Sequence, residues 1–346
     1  MINLGARDLE QAAMPNRAPL RVLFVTGMHP TARLPRRGVI IRRIAEALGR
    51  RGHKIELLDV GGHRGIARYL EAWPKVARAV RQSRPDLIHV HFGYSVLAIP
   101  RVPVPLVASF YGDDLNGTST RTGKTSFKSR VGVLVSNWLA ARSRRCIVVS
   151  EGMRERFWWA RLRQKTVVVR DAVDLRLFVA RSRAEARARL GLEHDRLLVL
   201  FPHREEDPNK RLSLAVRAVD AIRPSVPDAE LWIVNGRAPD EMPWYYAAAD
   251  VMLVTSVREG GPSSAKEALA CGIPVVSVPV GDVGLAKDAP DAVFLCAATP
   301  EALAEGLRAA LIKAREPRRS RLPLHLTLCA AAQQIEAVYY DALAQV

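Results

Sequence analysis

The chain has only four cysteines among 346 residues, and Cys146, Cys271, Cys296 and Cys329 sit at spacings that suit neither a metal-ligand set nor a redox pair. They read as buried thiols of a reducing compartment. No apolar run approaches the ~20 residues that a membrane span needs. The first nineteen residues are polar and lack the apolar core of a secretory signal, so a cytoplasmic protein is expected. No low-complexity tract breaks the chain, and with 49% hydrophobic residues it should be globular throughout. Aromatics make up only 6%, and no nucleic-acid module or aromatic-rich basic platform is visible, which argues against a nucleic-acid partner. His89 and His91 alternate along DLIHVHF (86–92), a pattern that fits core or cleft-edge histidines better than a zinc site.

What the chain does have is positive charge, unevenly placed. The formal net is +17. Residues 1–178 hold 32 Lys and Arg against 13 Asp and Glu, whereas residues 179–346 hold 20 against 22. Arg outnumbers Lys by 43 to 9, as a GC-rich genome would give. Nucleotide composition does not explain why the excess falls in one half. A basic half beside a neutral one predicts an acidic partner for the first, either anionic lipid headgroups or nucleic acid.

Short β-branched runs alternate with helical segments from end to end, which predicts parallel sheets covered by helices. Strands are expected at 21–27, 54–60, 86–92, 104–110, 145–149 and 166–170, then at 197–201, 230–236, 250–256, 273–279 and 292–296. Helices are expected at 38–51, in the 64–83 region broken at Pro74, and at 126–143, 301–315 and 325–344. The 126–143 segment carries Phe127, Val131, Leu134, Trp138 and Leu139, either a core face or a membrane-surface stripe. The reading is an α/β chain of two doubly wound domains, 1–178 and 179–324, with the C-terminal helix 325–346 returning to the first. Ligands of such sheets bind beyond the carboxyl ends of the strands, so the active site is expected in a central cleft between facing domains.

The segment EGGPSSAKEALACGIPVV (259–276) is the most informative. It sets Glu259 and Glu267 eight positions apart around a Gly-Gly-Pro turn between two buried strands. Pro262 suits the first helical turn. The amides of Gly261, Ser263 and Ser264 would be unpaired donors at a positive helix end, an anion site. Helical side chains lean toward the N-terminus, so Glu267 points back to the same mouth as Glu259. Amides for a diphosphate and carboxylates for hydroxyls together describe a sugar nucleotide. After LLVLF (197–201) comes PHREEDPNKRLSLAVRAV, where Lys210 stands just before a helix with Arg204 and Arg211 nearby. A cation there would neutralise a departing diphosphate.

With DPNKRLSLAVRAV and MPWYYAAADVMLVTSVREGGPSSAKEALACGIPVVSVPVGDV (242–283), the chain resembles a retaining glycosyltransferase of family 4 (glycosyl transferases group 1) with the GT-B fold of two Rossmann-like domains. KEALACG and VGDV resemble a branch associated with cell-surface polysaccharide synthesis. RRGVIIRRIAEALGRRGH, PDLIHVHFG, SFYGDDL, IVVSEGMRERF and VVVRDAVDLRLF carry the likeness more loosely through the first domain. The resemblance implies that Glu259 contacts the donor sugar and Glu267 the ribose. Amides around Gly260, Gly261, Ser263 and Ser264 would hold the diphosphate, with Pro262 a donor-binding position on the same turn. Lys210 would be its main cation, with Arg204 and Arg211 beside it, and Gly38 would let a first-domain helix approach the donor. Tyr111, Gly112 and Asp113 fall on the sugar or acceptor side. It also implies a metal-independent hexosyltransferase with no cofactor, using a UDP- or GDP-sugar as co-substrate. In agreement, no Asp-x-Asp occurs, and Asp113 and Asp114 are adjacent. Two departures mark the first domain. Tyr111-Gly112 stands where the family often has His-Gly, and Asp171-Ala172-Val173-Asp174 replaces Asn-Gly-Val-Asp.

The expected function is retaining transfer of a sugar to a hydroxyl of a lipid-linked or polysaccharide acceptor, in cell-surface polysaccharide or glycolipid synthesis. The protein would be cytoplasmic and peripheral at the inner face of the cell membrane. The alternatives are a nucleotide-sugar epimerase of similar fold and a catalytically degenerate binding protein.

Overall fold

The computed structural model describes residues 17–28, 38–61, 69, 71–117, 127–259, 261–281 and 287–344. The chain divides into two compact units, residues 1–170 with 328–346, and residues 171–327.

In the first unit, β1 (Arg21–Thr26), β2 (Lys54–Asp59), β3 (Leu87–His91), β4 (Leu106–Phe110), β5 (Arg145–Val148) and β6 (Thr166–Val168) form one parallel sheet in the order β2-β1-β3-β4-β5-β6. β3 and β4 are buried along their whole length, as central strands of a parallel sheet covered on both faces should be, with His89 and His91 buried among the apolar residues of β3. Helices α1 (Val39–Arg50), α2 (Trp73–Ser83) and α3 (Phe127–Arg142) follow strands in the expected order. α2 begins with Trp73 and Pro74 at its first positions, because proline is tolerated in the opening turn; the region from 62 to 68 lies outside the described residues.

The last helix of the chain, Leu328–Ala344, belongs to this unit. Its Glu336 accepts from Arg51 at 2.5 Å and contacts His53 Nε2 at 2.9 Å, all three nearly buried. Tyr339 meets His89 Nδ1 at 2.7 Å, and Asp341 pairs with Arg145. Buried charges survive only where they are paired, so these contacts fix the register of the helix on the sheet.

The second unit is a five-stranded parallel sheet of β7 (Leu197–Phe201), β8 (Ala229–Ile233), β9 (Val251–Val254), β10 (Val275–Ser277) and β11 (Val293–Leu295), ordered β11-β10-β9-β7-β8. Counting the helices longer than five residues, α4 (Arg183–Leu190), α5 (Leu212–Ile222), α6 (Met242–Ala248), α7 (Ser263–Ala270) and α8 (Pro300–Lys313) come between α3 and the last helix, which is α9; the short helices Glu151–Arg154 and Ala160–Gln164 are left unnumbered. α5 and α8 pack on one face of the sheet, and α6 and α7 on the other. At the amino end of β9, Asp250 is fully buried and bonds Arg187 at 2.8 Å and the Leu198 amide at 2.8 Å. This ties α4 to the amino ends of the strands.

Three expectations change. The boundary between units falls at Asp171 rather than after Phe178, because Val173 bridges to Thr327 and Phe178 is buried in the second core. The helix after Glu259 has eight residues and starts at Ser263, with Pro262 as its cap rather than inside its first turn. The apolar stripe of α3 is split: Leu139 is buried while Leu134 and Trp138 face outward. Adjacent residues on a helix stand about 100° apart, and here that step carries the chain from the exposed Trp138 to the buried Leu139.

Candidate functional site

The second unit reverses its strand order between β7 and β9. The chain runs from β7 outward to β8, then returns to add β9, β10 and β11 on the other side. Connections leaving the carboxyl ends of such a strand pair go to opposite faces and open a crevice. Lys210 comes from the loop after β7, and Glu259 from the loop after β9. Their side chains meet, Lys210 Nζ to Glu259 Oε1, at 2.6 Å.

Several bonds stitch these two loops together. The Val257 amide donates to the Asn209 carbonyl at 2.8 Å, and Asn209 Nδ2 donates to the Arg258 carbonyl at 2.9 Å. Thr255 Oγ1 donates to the Lys210 carbonyl at 2.6 Å. Arg211 adopts the left-handed conformation, unusual for a side chain of its size, at φ 51° and ψ 55°. Its guanidinium donates to the Thr255 and Ser256 carbonyls at 2.5 and 3.1 Å, which over-determines that strained backbone. Arg211 therefore binds the loops, while Arg204 is exposed on the same connection.

α7 opens beside this pair. The Pro262 carbonyl accepts from the Ala265 and Lys266 amides, leaving the Ser263 and Ser264 amides as the helix's first donors. Glu267, half-buried one turn on, accepts from the buried Tyr246 hydroxyl at 2.9 Å. Gly261 lies against Lys266: a Cβ there would stand 3.4 Å from the Lys266 ammonium. Gly260 lies outside the described residues. Gly281, at φ +64°, backs the loop so closely that a Cβ would come within 3.0 Å of Pro262 and 3.2 Å of Glu259.

The sequence reading did not single out Lys266. Only 1% exposed, it donates to the Asp171 carbonyl at 3.1 Å. Burial pushes the Asp171 carboxyl above the ordinary carboxylate range, and the Lys266 ammonium and Ser263 hydroxyl (3.4 Å) pull it back. The signal was available: a lysine inside a short helix between two buried strands must find a partner. Tyr246 and Gly281 were also missed as site residues, since their roles come from contacts across the fold.

In the first unit the strand order reverses between β1 and β3. Beyond these strands the Gly27 amide donates to Ser95 Oγ at 3.1 Å, and Phe92 has φ 69°. Gly38, at φ 67°, caps α1 in a conformation that favours glycine. Tyr111 follows β4, and its hydroxyl meets His91 Nδ1 at 2.7 Å. Gly112 (φ +147°) has open space around its α-carbon, another position that suits glycine. Asp114 accepts from the Tyr111 and Gly93 amides at 2.9 and 3.1 Å, clamping the β3 and β4 loops. The side chain of Asp113 lies outside the described residues. His89 and His91 are fully buried; burial lowers the His89 pKa to about 3, and burial with the neighbouring His89 lowers that of His91. Both imidazoles are therefore neutral at physiological pH. All four cysteines are free, and no cluster of metal-ligating side chains occurs among the described residues.

Residues 31–177 match the family described as Glycosyltransferase Family 4, and residues 233–313 match Glycosyl transferases group 1. The D-inositol 3-phosphate glycosyltransferase of Acidothermus cellulolyticus is 30% identical over 221 residues, 51% of this chain and 48% of that protein. The chain thus spans about half the length of the curated relatives it matches, from 39% to 61% in three of them. Among solved structures, sucrose-phosphate synthase from Thermosynechococcus elongatus superposes with TM-score 0.72 at 18% identity, over 94% of this chain and 100% of that one. HepE of Anabaena, in complex with UDP-glucose, superposes with TM-score 0.63 at 17% identity, over 93% of this chain and 100% of that one. The two parallel-sheet α/β units thus have the GT-B fold, and each carries a match to a glycosyltransferase family model, Glycosyltransferase Family 4 in the first and Glycosyl transferases group 1 in the second.

Proposed function

We propose that the protein transfers a sugar from a nucleotide-diphosphate sugar to an acceptor hydroxyl with retention of anomeric configuration and without a metal. The observation that carries this reading is the Lys210–Glu259 pair at the β7/β9 switch point, beside the mouth of α7. Lys210 is placed to neutralise the diphosphate as it departs, with the Ser263 and Ser264 amides taking phosphate oxygens. On donor binding Glu259 exchanges its contact with Lys210 for sugar hydroxyls. Glu267, held by Tyr246, takes the ribose hydroxyls. UDP-glucose in the similarly folded HepE complex supports a UDP-sugar as first choice, and GDP-sugars are the second. On the acceptor side, the basic first half supports a lipid-linked or polysaccharide acceptor reached from an anionic membrane surface, in cell-surface polysaccharide or glycolipid synthesis.

The test is to incubate the protein with UDP- and GDP-sugars and candidate acceptors and to follow nucleotide release and product by mass and NMR. A new α-glycoside from an α-linked donor is expected, with turnover abolished in Lys210→Ala and Glu267→Ala that still fold. Wild-type turnover in either variant, or an epimerised donor with no acceptor consumed, would overturn the reading.

A further inference from the structure

Four of the six tryptophans are 45–50% exposed, Trp73, Trp138, Trp158 and Trp159, and all four lie in the first unit. Single exposed apolar residues need no explanation, but a group of the largest side chains does. Three of them gather around one helix. Trp138 stands on α3, with the exposed Leu134 one turn before it. The Trp158 amide donates to Asn137 Oδ1 at 3.2 Å, and Lys165 Nζ donates to the Ala141 and Ser143 carbonyls at 3.4 and 2.5 Å. The 158–165 segment therefore runs along the last turns of α3. The Trp158 and Trp159 rings meet edge to face, with centroids 5.9 Å apart.

Cations frame these rings. The Arg142 guanidinium lies 5.0 Å from the Trp138 ring centre, and that of Arg161 lies 5.4 Å from the Trp159 ring centre. Residues 130–165 hold nine Lys and Arg against two Asp and Glu. Arg130, Arg156 and Arg161 have no acidic partner among the described residues. Tryptophan prefers the headgroup level of a bilayer, where its ring is half apolar and its N–H finds water or ester oxygens. Arginine stems lie along apolar surface while the head reaches anionic phosphate. A single-strand binding platform needs ring faces open for stacking. Here two of the three rings already carry a guanidinium, and the other meets its neighbour edge to face.

We propose that the surface of Leu134, Trp138, Trp158 and Trp159, framed by Arg142 and Arg161, docks the first unit on an anionic lipid bilayer. The docking mode rests on the membrane-borne acceptor proposed above, and it places the tryptophan rings among the headgroups with Arg161 on lipid phosphate, while Arg142, held by the Ile99 and Pro100 carbonyls at 3.2 and 3.3 Å, backs the Trp138 ring.

The experiment is flotation of the full chain with vesicles of phosphatidylcholine, alone or mixed with phosphatidylglycerol, combined with tryptophan emission and quenching by brominated lipid. Wild type should float with the mixed vesicles, its emission shifting to the blue and quenched by shallow bromines, and float at least about tenfold less with the neutral ones. The double variant Trp158→Ser/Trp159→Ser should lose about tenfold or more in partitioning, with Trp138→Ser and Arg161→Gln losing less. Ile312→Ser, at a residue 72% exposed in the second unit, should bind as wild type. Nucleotide release without vesicles should be unchanged in every variant. Failure of wild type to float, equal flotation of the double variant, or binding without quenching would overturn the proposal. Retention on a DNA oligonucleotide in place of vesicles, lost in the double variant, would also overturn it, in favour of a nucleic acid. Vesicle binding that persists where no nucleotide-sugar is ever turned over would remove the glycosyl-transfer reading and leave the docking surface standing.

Discussion

Lys266 carries its ammonium inside the second unit, beneath Gly261 and against the Asp171 carbonyl. A methionine there would keep the volume and remove the charge, leaving the Asp171 carboxyl and the loop above it without their cation. Lys266→Met should weaken binding of UDP about tenfold or more, near 1.4 kcal/mol, measured by calorimetry on protein whose circular dichroism is unchanged. Wild-type affinity in that variant would mean that the lysine only packs. Gly281 is set by its backbone instead. An added methyl group would meet Pro262 and Glu259 and hold φ +64° at a cost of about 1–2 kcal/mol. Gly281→Ala should therefore lower donor affinity and melting temperature together, and a variant that changes neither would show that the loop adapts. Lys210 and Glu259 were legible from type and position, as a lysine after a strand and a carboxylate before a Gly-Gly-Pro turn. That they bond each other was not, because their loops are 49 residues apart.

At the scale of elements, α4 shows what a propensity reading leaves out. Its Ser182 cap and the Gly191 ending are local signals, but its position depends on Arg187 reaching Asp250 and the carbonyl of Ala248. Removing one partner of a buried pair leaves an uncompensated charge, so Asp250→Ala should destabilise the second unit by about 3–5 kcal/mol. Chemical denaturation measures it, and a loss under about 1 kcal/mol would show that solvent relieves the arginine. The strands were legible because β-branched runs are long enough to register in any window. Most of their ends shrank by one to three residues, while Leu197–Phe201 kept both of its ends and Ala229–Ile233 begins one residue earlier than expected. α9 shows the reverse case: its apolar face was visible in sequence, while Glu336, which anchors it to Arg51 and His53, reads as an ordinary surface acid.

For the whole molecule, the two units should respond differently to acid. His89 and His91 are neutral in the folded first unit and take up a proton freely once it unfolds. Their contribution to stability is present above the ordinary histidine value of 6.5 and is lost as pH falls below it, for His89 down to about 3. For His89 the loss should be on the order of 1 kcal/mol per pH unit in that window. Unfolding followed between pH 7 and 4 should show the first unit weakening steeply, and His89→Gln should flatten the slope. A slope unchanged by that substitution would mean that these imidazoles are protonated in the folded chain. The charge asymmetry belongs to this scale as well. It was plain in the composition, but composition did not show that four exposed tryptophans share the basic unit.

The sequence by itself determined the class of the fold, the alternation of strand and helix, and the helix mouth at Glu259–Glu267, because each is written in neighbours a few residues apart. Tertiary structure decided the rest. It placed Lys210 against Glu259 by setting β7 beside β9, put Lys266 under Gly261, and turned Trp138 outward on the helix whose Asn137 holds the Trp158 amide. The physical reason is the same in each case. Local pattern fixes which face of an element is apolar, whereas the partner of a buried charge or the company of an exposed ring depends on which distant segment the sheet brings alongside.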